Sequence, residues 1–382
     1  MRFTIYMLLI YLSFPVLSQV DRCSFDEYRQ ILKNRGLYKE CKNYSSQYYS
    51  MQDTYTIPVV VHILYNNDGQ NISDERVYSQ IEVLNQDYSA SNMSLDNIPD
   101  EFQDVIGEVG FAFCLVQKDL DGNDFSGINR VYTEVESFNM SDDAMKRSSE
   151  GGVDAWDSEN YLNFWVCNLS GNLLGFATMP GDVSAELDGV VVDYEYFGVD
   201  LSSSSPYNLG RTATHEVGHY FNLEHTFYAG CSDWDSCDDT PSISSPTYGC
   251  PEFPQESCNS IDMTMNYMDY TNDACMHMFS SCQAELMIDA LLTYRPNLIA
   301  AEDCSVSIDE NTYTNDIFIH PNPVLDKIFL SIEKSSIYLY DIYGREILSN
   351  YYLDKDFLDV SFLHSGTYII IIDNYIQKFI KR

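Results

Sequence analysis

The stretch THEVGHYFNLEHTF, residues 214–227, constrains this chain more than any other. It gathers His215, Glu216, His219 and His225 in a sequence with only seven histidines. An α-helix advances about 100° and 1.5 Å per residue, so His215 and His219 stand one turn apart on one face. Ten positions past His215 in the same helix, a residue would lie about 15 Å along the axis and about 80° off that face. His225 can join the pair only if the helix stops between them. Asn222 suits that stop, since asparagine is the non-glycine residue that best tolerates a left-handed backbone. Three converging imidazoles form a zinc ligand set whose fourth position is open to water, with its pKa lowered to about 7. Glu216, beside the first ligand, is placed to take that water's proton as it attacks a carbonyl, so the expected reaction is peptide-bond hydrolysis.

A second element lies downstream. NYMDYTNDAC, residues 266–275, sets Met268 in a tight polar turn. With the zinc segment and the triplet Asp239, Thr240 and Pro241, this turn resembles the metzincins of the pappalysin family. IPVVVHILY from Ile57, FAFCLVQKDLDG from Phe111, GINRVY from Gly127 and YLNFWVCNLSGNLLGFATMP from Tyr161 are similar to the family as well. The resemblance implies an α+β catalytic domain: a twisted mixed sheet, a zinc helix and a loop-rich C-terminal subdomain, with substrate lying along the edge segment 173–178. It implies that Met268 floors the metal site and that Tyr270 donates to the oxyanion, a task suited to a neutral phenol. Asp273 is implied at the base of a pocket for the residue after the scissile bond, where a carboxylate favours Arg over Lys through paired hydrogen bonds. Calcium is implied near the DTP triplet, with Asp235 and Thr240 as side-chain ligands and backbone carbonyls near Asp238. The implied disulfides are Cys231–Cys258 and Cys250–Cys275. Cys23, in DRCSFDEY, has two readings, a latency switch whose thiolate holds the zinc or a disulfide to Cys41. The sequence departs from the family at Asn222, where glycine is usual, and keeps the ligands. Two alternatives stand beside this reading: a metzincin of another subgroup, astacin-like or matrix-type, and a non-catalytic surface binding protein on the same scaffold.

The rest of the chain reads as an exported enzyme. Residues 1–18 carry Arg2, an apolar run from Ile5 to Leu17 and Ser18, the pattern of a signal peptide. No other run reaches the roughly 20 apolar residues of a membrane span. Eleven cysteines suit an oxidising compartment, and six of them fall in the 52 residues 231–282. Cys237 and Cys282 are candidates for a third bridge, while Cys114 and Cys167, in apolar strand-like runs, read as buried residues. A net charge of −37 excludes a nucleic-acid surface and supplies carboxylates for cations.

Residues 19–54 are polar and Tyr-rich without a clear core pattern, as expected of a pro-segment that keeps a zymogen inactive. The catalytic domain is expected at 55–303, with strands at 57–65, 109–117, 162–167, 173–179 and 188–196. A helix starts after Ser73, with Val77, Ile81, Leu84 and Tyr88 on one face. The zinc helix is expected from near Asn208. Beyond Cys304 short alternating strands resemble the C-terminal sorting domain of the type IX secretion system, expected as a small all-β sandwich at 311–382. That resemblance rests on Pro321, Asn322 and Pro323; Asp341, Gly344 and Arg345; Leu363, Gly366 and Tyr368; and the terminal Lys378, Lys381 and Arg382. The expected partners are protein or peptide substrates and that secretion machinery, and the expected location is outside the cell or on its surface.

Overall fold

The computed structural model describes residues 22–38 and 54–300 apart from 93, 233 and 234. Of the C-terminal part it describes 324, 327–329, 336–341, 346–352, 357–364, 366–372 and 375–382. The stretch 1–18 read as a signal peptide, the Pro321 to Pro323 motif, Gly344 and Arg345, and Cys41 and Cys304 lie outside the described residues. The chain divides into two compact units, 1–305 and 306–382.

The first unit is built on a six-stranded sheet. Its central strand is β1 (Tyr55–Tyr65), whose Ile57 to Leu64 run is buried throughout. A strand covered on both faces should read as an unbroken apolar run rather than an alternation. β1 pairs in parallel with β2 (Phe111–Leu115) along its first half, with β3 (Ile128–Tyr132) along its second, and with β4 (Leu162–Cys167) on its other side. β6 (Val190–Asp193) continues the parallel order beside β4, and the three-residue β5 (Gly175–Ala177) closes the edge antiparallel to β6. β3 was not among the expected strands. Its polar, half-exposed residues hide the alternation that marks a strand.

α2 (Asp74–Tyr88) begins where expected, with Ser73 Oγ accepting from Arg76 N, and lays Val77, Leu84 and Tyr88 on the sheet. α3 (Arg211–Tyr220) carries the first two histidines and has all residues from Thr212 onward buried. It starts later than the sequence suggested because Gly210, in the left-handed region at φ 79°, is its cap. α4 (Ser281–Tyr294) opens on a reciprocal capping pair of Ser280 and Gln283. Between α3 and α4 the loops carry the short hairpin β7 (Glu256–Ser257) and β8 (Ser260–Ile261) and two disulfides, Cys231–Cys258 and Cys250–Cys275, while a third, Cys237–Cys282, ties them to the first turn of α4. Cys167 is a buried thiol, whereas Cys114 is disulfide-bonded, contrary to the reading of it as a simple buried residue.

Residues 25–35, expected to lack core character, form helix α1 (Phe25–Arg35), ended by Gly36 at φ 69°. Its Phe25, Tyr28 and Leu32 are buried against the first unit. The second unit pairs β12 (Phe357–Asp359) with β9 (Lys327–Phe329), and orders β11 (Glu346–Tyr352), β10 (Ser336–Asp341), β13 (Gly366–Ile372) and β14 (Tyr375–Lys381) in one antiparallel sheet. Ile328 and Leu358 from the pair share one core with Ile337, Leu339, Ile370 and Phe379 from the sheet.

Candidate active site

α3 sets His215 and His219 one turn apart, and the chain then reverses. Asn222 takes φ 75°, its N–H donating to His219 O at 2.9 Å while Leu223 N–H donates to Gly218 O at 2.9 Å. This left-handed close satisfies the last carbonyls of the helix and returns the chain toward its own face. His219 Nε2 consequently lies 3.2 Å from His215 Nε2 and 3.1 Å from His225 Nε2. All three rings are buried.

The outward nitrogens fix the tautomers. His215 Nδ1 faces Tyr267 O and His219 Nδ1 faces Leu223 O, each at 2.6 Å, so these nitrogens carry the protons and the Nε2 lone pairs point inward. Burial, followed by the neighbouring imidazoles, holds both groups well below the usual histidine range and keeps them neutral. Three imidazole nitrogens converging in this way fit zinc. Met268 lies beneath them. A Cβ on Gly218 would stand 2.5 Å from Met268 Sδ, so only glycine lets the thioether approach the helix.

Glu216 is buried beside the cluster and faces the sheet edge. A Cβ on Gly175 of β5 would lie 3.3 Å from Glu216 Oε1, so the edge strand and the carboxylate bound one narrow cleft. Tyr270 stands across the cluster, its hydroxyl 3.2 Å from His225 Nε2 and donating to Cys23 O at 2.7 Å.

The segment 22–28 runs through that cleft. Cys23, present as a thiol, places Sγ 3.5 Å from both Glu216 Oε2 and His219 Nε2, and groups with the three histidines within 4.8 Å. Phe25 stacks on His219 with centroids 4.1 Å apart. Arg22 is fully buried, with Nη2 on Asp273 Oδ1 at 2.8 Å and Nη1 on Thr271 O at 2.7 Å. Asp273 Oδ2 accepts from the backbone N–H groups of Leu209 and Arg211 at 2.9 and 3.1 Å, which pins the carboxylate at the start of α3. Sequence reasoning named Cys23 and Asp273 and missed Arg22 and Phe25. The signal was the basic residue beside Cys23, since Asp273 was already read as a receptor for arginine.

The proposed calcium ligands stand apart from the histidines. Asp235 Oδ1 accepts from Thr240 Oγ1 at 2.6 Å and from Cys237 N at 3.2 Å, and burial pushes the Asp235 carboxyl up to about 6. Asp239, of the same triplet, accepts from Ser280 Oγ at 2.5 Å and Cys282 N at 2.9 Å at the head of α4.

A family sequence model described as pregnancy-associated plasma protein-A matches residues 146–292, and one described as a secretion system C-terminal sorting domain matches 318–382. An extracellular metalloprotease of Arthroderma benhamiae is 34% identical over 242 residues, 61% of this chain and 70% of its own length. One from Colletotrichum graminicola is 31% identical over 254 residues, 63% of this chain and 78% of its own. Among solved structures, mirolysin in complex with compound 9 is 45% identical with a TM-score of 0.63, over 65% of this chain and 97% of that one. A promirolysin mutant from Tannerella forsythia is 40% identical with a TM-score of 0.63, over 72% and 91%.

Proposed function

This chain belongs to the pappalysin family of metalloendopeptidases, and on that premise we propose that it is a secreted zinc endopeptidase that cleaves before a basic residue and is held latent by its own segment 22–38. The observation that carries the reading is the convergence of His215, His219 and His225 beside Glu216, with Arg22 seated on Asp273. His215, His219 and His225 would hold zinc, which would supply Lewis acidity for polarising the scissile carbonyl and acidifying the attacking water. The chain's own groups do the rest. Glu216 accepts the proton of the attacking water and passes it to the leaving amine. Tyr270, released from Cys23 O, donates its hydroxyl hydrogen to the oxyanion. β5 offers its open edge to the substrate backbone, and Asp273 receives the guanidinium of the following residue.

In the latent chain Arg22 fills that pocket, Cys23 Sγ lies 3.5 Å from both Glu216 Oε2 and His219 Nε2, where it would exclude the attacking water, and Phe25 covers His219. Calcium belongs to the same reading. Asp235 Oδ2 is buried without a protein hydrogen-bond partner among the described residues, leaving one carboxylate oxygen for a cation in a loop dense in oxygen ligands. The C-terminal unit directs the chain to type IX secretion machinery and so to the cell surface or beyond.

The test is Glu216→Ala in the processed enzyme. Zinc content by mass spectrometry should stay stoichiometric while peptide hydrolysis falls by roughly two to four orders of magnitude, because the base is not a ligand. Retained hydrolysis, or loss of zinc, would count against the assignment.

A further inference from the structure

We propose that the cavity filled by Tyr28 becomes, once residues 19–54 are removed, a subsite that selects a tyrosine side chain N-terminal to the scissile bond. The proposal rests on the reading of this chain as a latent endopeptidase, and extends it to a second side chain of the substrate.

Tyr28 is fully buried in a pocket whose polar walls belong to the catalytic unit. Its hydroxyl donates to Asp143 Oδ1 at 2.6 Å and accepts from Lys146 Nζ at 3.3 Å. Lys146 also donates to Leu187 O at 2.7 Å, and its ammonium stands 5.2 to 5.3 Å from the rings of Tyr28, Trp165 and Phe176. Burial lowers its pKa only to about 8, so it stays mostly charged near neutral pH. When the pro-segment leaves, Asp143 Oδ1 loses the phenol and Oδ2 loses Arg35, while Lys146 keeps one of its partners. A carboxylate and an ammonium that had flanked a single hydroxyl then face a cavity with aromatic walls.

Only one kind of side chain repairs that arrangement fully. A tyrosine donates to Asp143 and accepts from Lys146. A phenylalanine fills the space but leaves the carboxylate without its donor, and an acidic side chain meets Asp143 as a like charge. Sites built to hydrogen-bond a hydroxyl discriminate strongly against the analogue that lacks it.

The pocket is also placed for substrate. Phe176, whose ring lies 4.6 Å from that of Tyr28, belongs to β5, and its neighbour Gly175 borders Glu216. Arg22 occupies the pocket read as receiving the residue after the scissile bond, and the segment then passes the histidines to reach Tyr28. Tyr28 therefore lies on the side that binds residues before the bond. From Phe25 to Tyr28 the helix rises about 4.5 Å, which an extended chain covers in under two residues.

The experiment uses full-length protein, zinc-loaded and activated by limited proteolysis. Fluorogenic peptides carry Arg after the scissile bond and Tyr, Phe or Ala at the second, third or fourth position before it. At one position Tyr should exceed Phe in kcat/KM by about tenfold or more. In Asp143→Asn, which asparagine can accommodate at φ 57°, and in Lys146→Met, that ratio should fall to about twofold or less. Equal rates for Tyr and Phe at every position, or a ratio unchanged in both variants, would overturn the subsite. If no peptide is cut at all, the endopeptidase reading fails instead. Anisotropy binding of the same Tyr and Phe peptides then judges the pocket alone, and equal affinities would overturn it.

Discussion

Asp273 divides its two oxygens between different tasks, and that division makes a clean test possible. Oδ2 holds the backbone at the start of α3, while Oδ1 receives a guanidinium. Asp273→Asn can keep the first contact through its amide oxygen and must present an NH2 group to the second. We expect the preference for Arg over apolar residues after the scissile bond to fall about a hundredfold in a peptide-library digest, with the variant still folded. An unchanged Arg preference would remove Asp273 from the pocket. At this scale the site was largely legible. Spacing alone requires a break between His219 and His225, and Asn222 at φ 75° makes it. Arg22 was missed for a physical reason: its partner lies 251 residues away, so its burial shows only when the basic residue beside Cys23 is joined to the Asp273 pocket.

Among the elements, β1 carries an acid-sensitive group at its centre. His62 is fully buried, with Asn129 Nδ2 donating to its Nδ1 at 3.1 Å and its Nε2 placed against Asn163 Oδ1 at 3.0 Å. A proton on Nδ1 would set two donors face to face, and burial lowers the pKa from 6.5 to about 4. The unfolded chain therefore takes up this proton between pH 6.5 and 4 while the native chain does not. The stability His62 contributes is present above pH 6.5 and is lost as pH falls toward 4, on the order of 3 kcal/mol. Melting temperatures recorded from pH 7 to 4 should fall less steeply in His62→Gln than in the parent; identical slopes would show that another group controls the acid limb. β1 and α2 were readable because their apolar periods are long. α1 was not, since its buried face is only Phe25, Tyr28 and Leu32 among charged neighbours, and a helix this short takes its stability from docking rather than propensity. Asp26 and Glu27 in its first turn and Gly36 after its last were the signals available.

On the scale of the whole molecule, the division at 305 and 306 separates two cores with no shared residue among the described ones. A chain ending at Ser305 should fold and cut peptides in vitro like the full protein, and should stay behind the outer membrane when expressed in a host with type IX machinery. Surface delivery of the shortened chain would refute the sorting role. Composition foretold an exported, disulfide-bearing protein, yet the parallel pairing of β1 with three different strands could not be read from it, because register depends on contacts between segments about 50 to 110 residues apart.

The approach of Cys23 Sγ to the three histidines has a thermodynamic reciprocal. A thiolate that binds the catalytic metal adds a fourth protein ligand, so whatever affinity the metal lends to the docked pro-segment, the pro-segment must return to the metal in equal measure. On the proposed reading, the latent form is then the better metal keeper of the two. A chain crossing the periplasm would carry its zinc in a closed, four-ligand cage, and would trade retention for reactivity only when the segment is cut away.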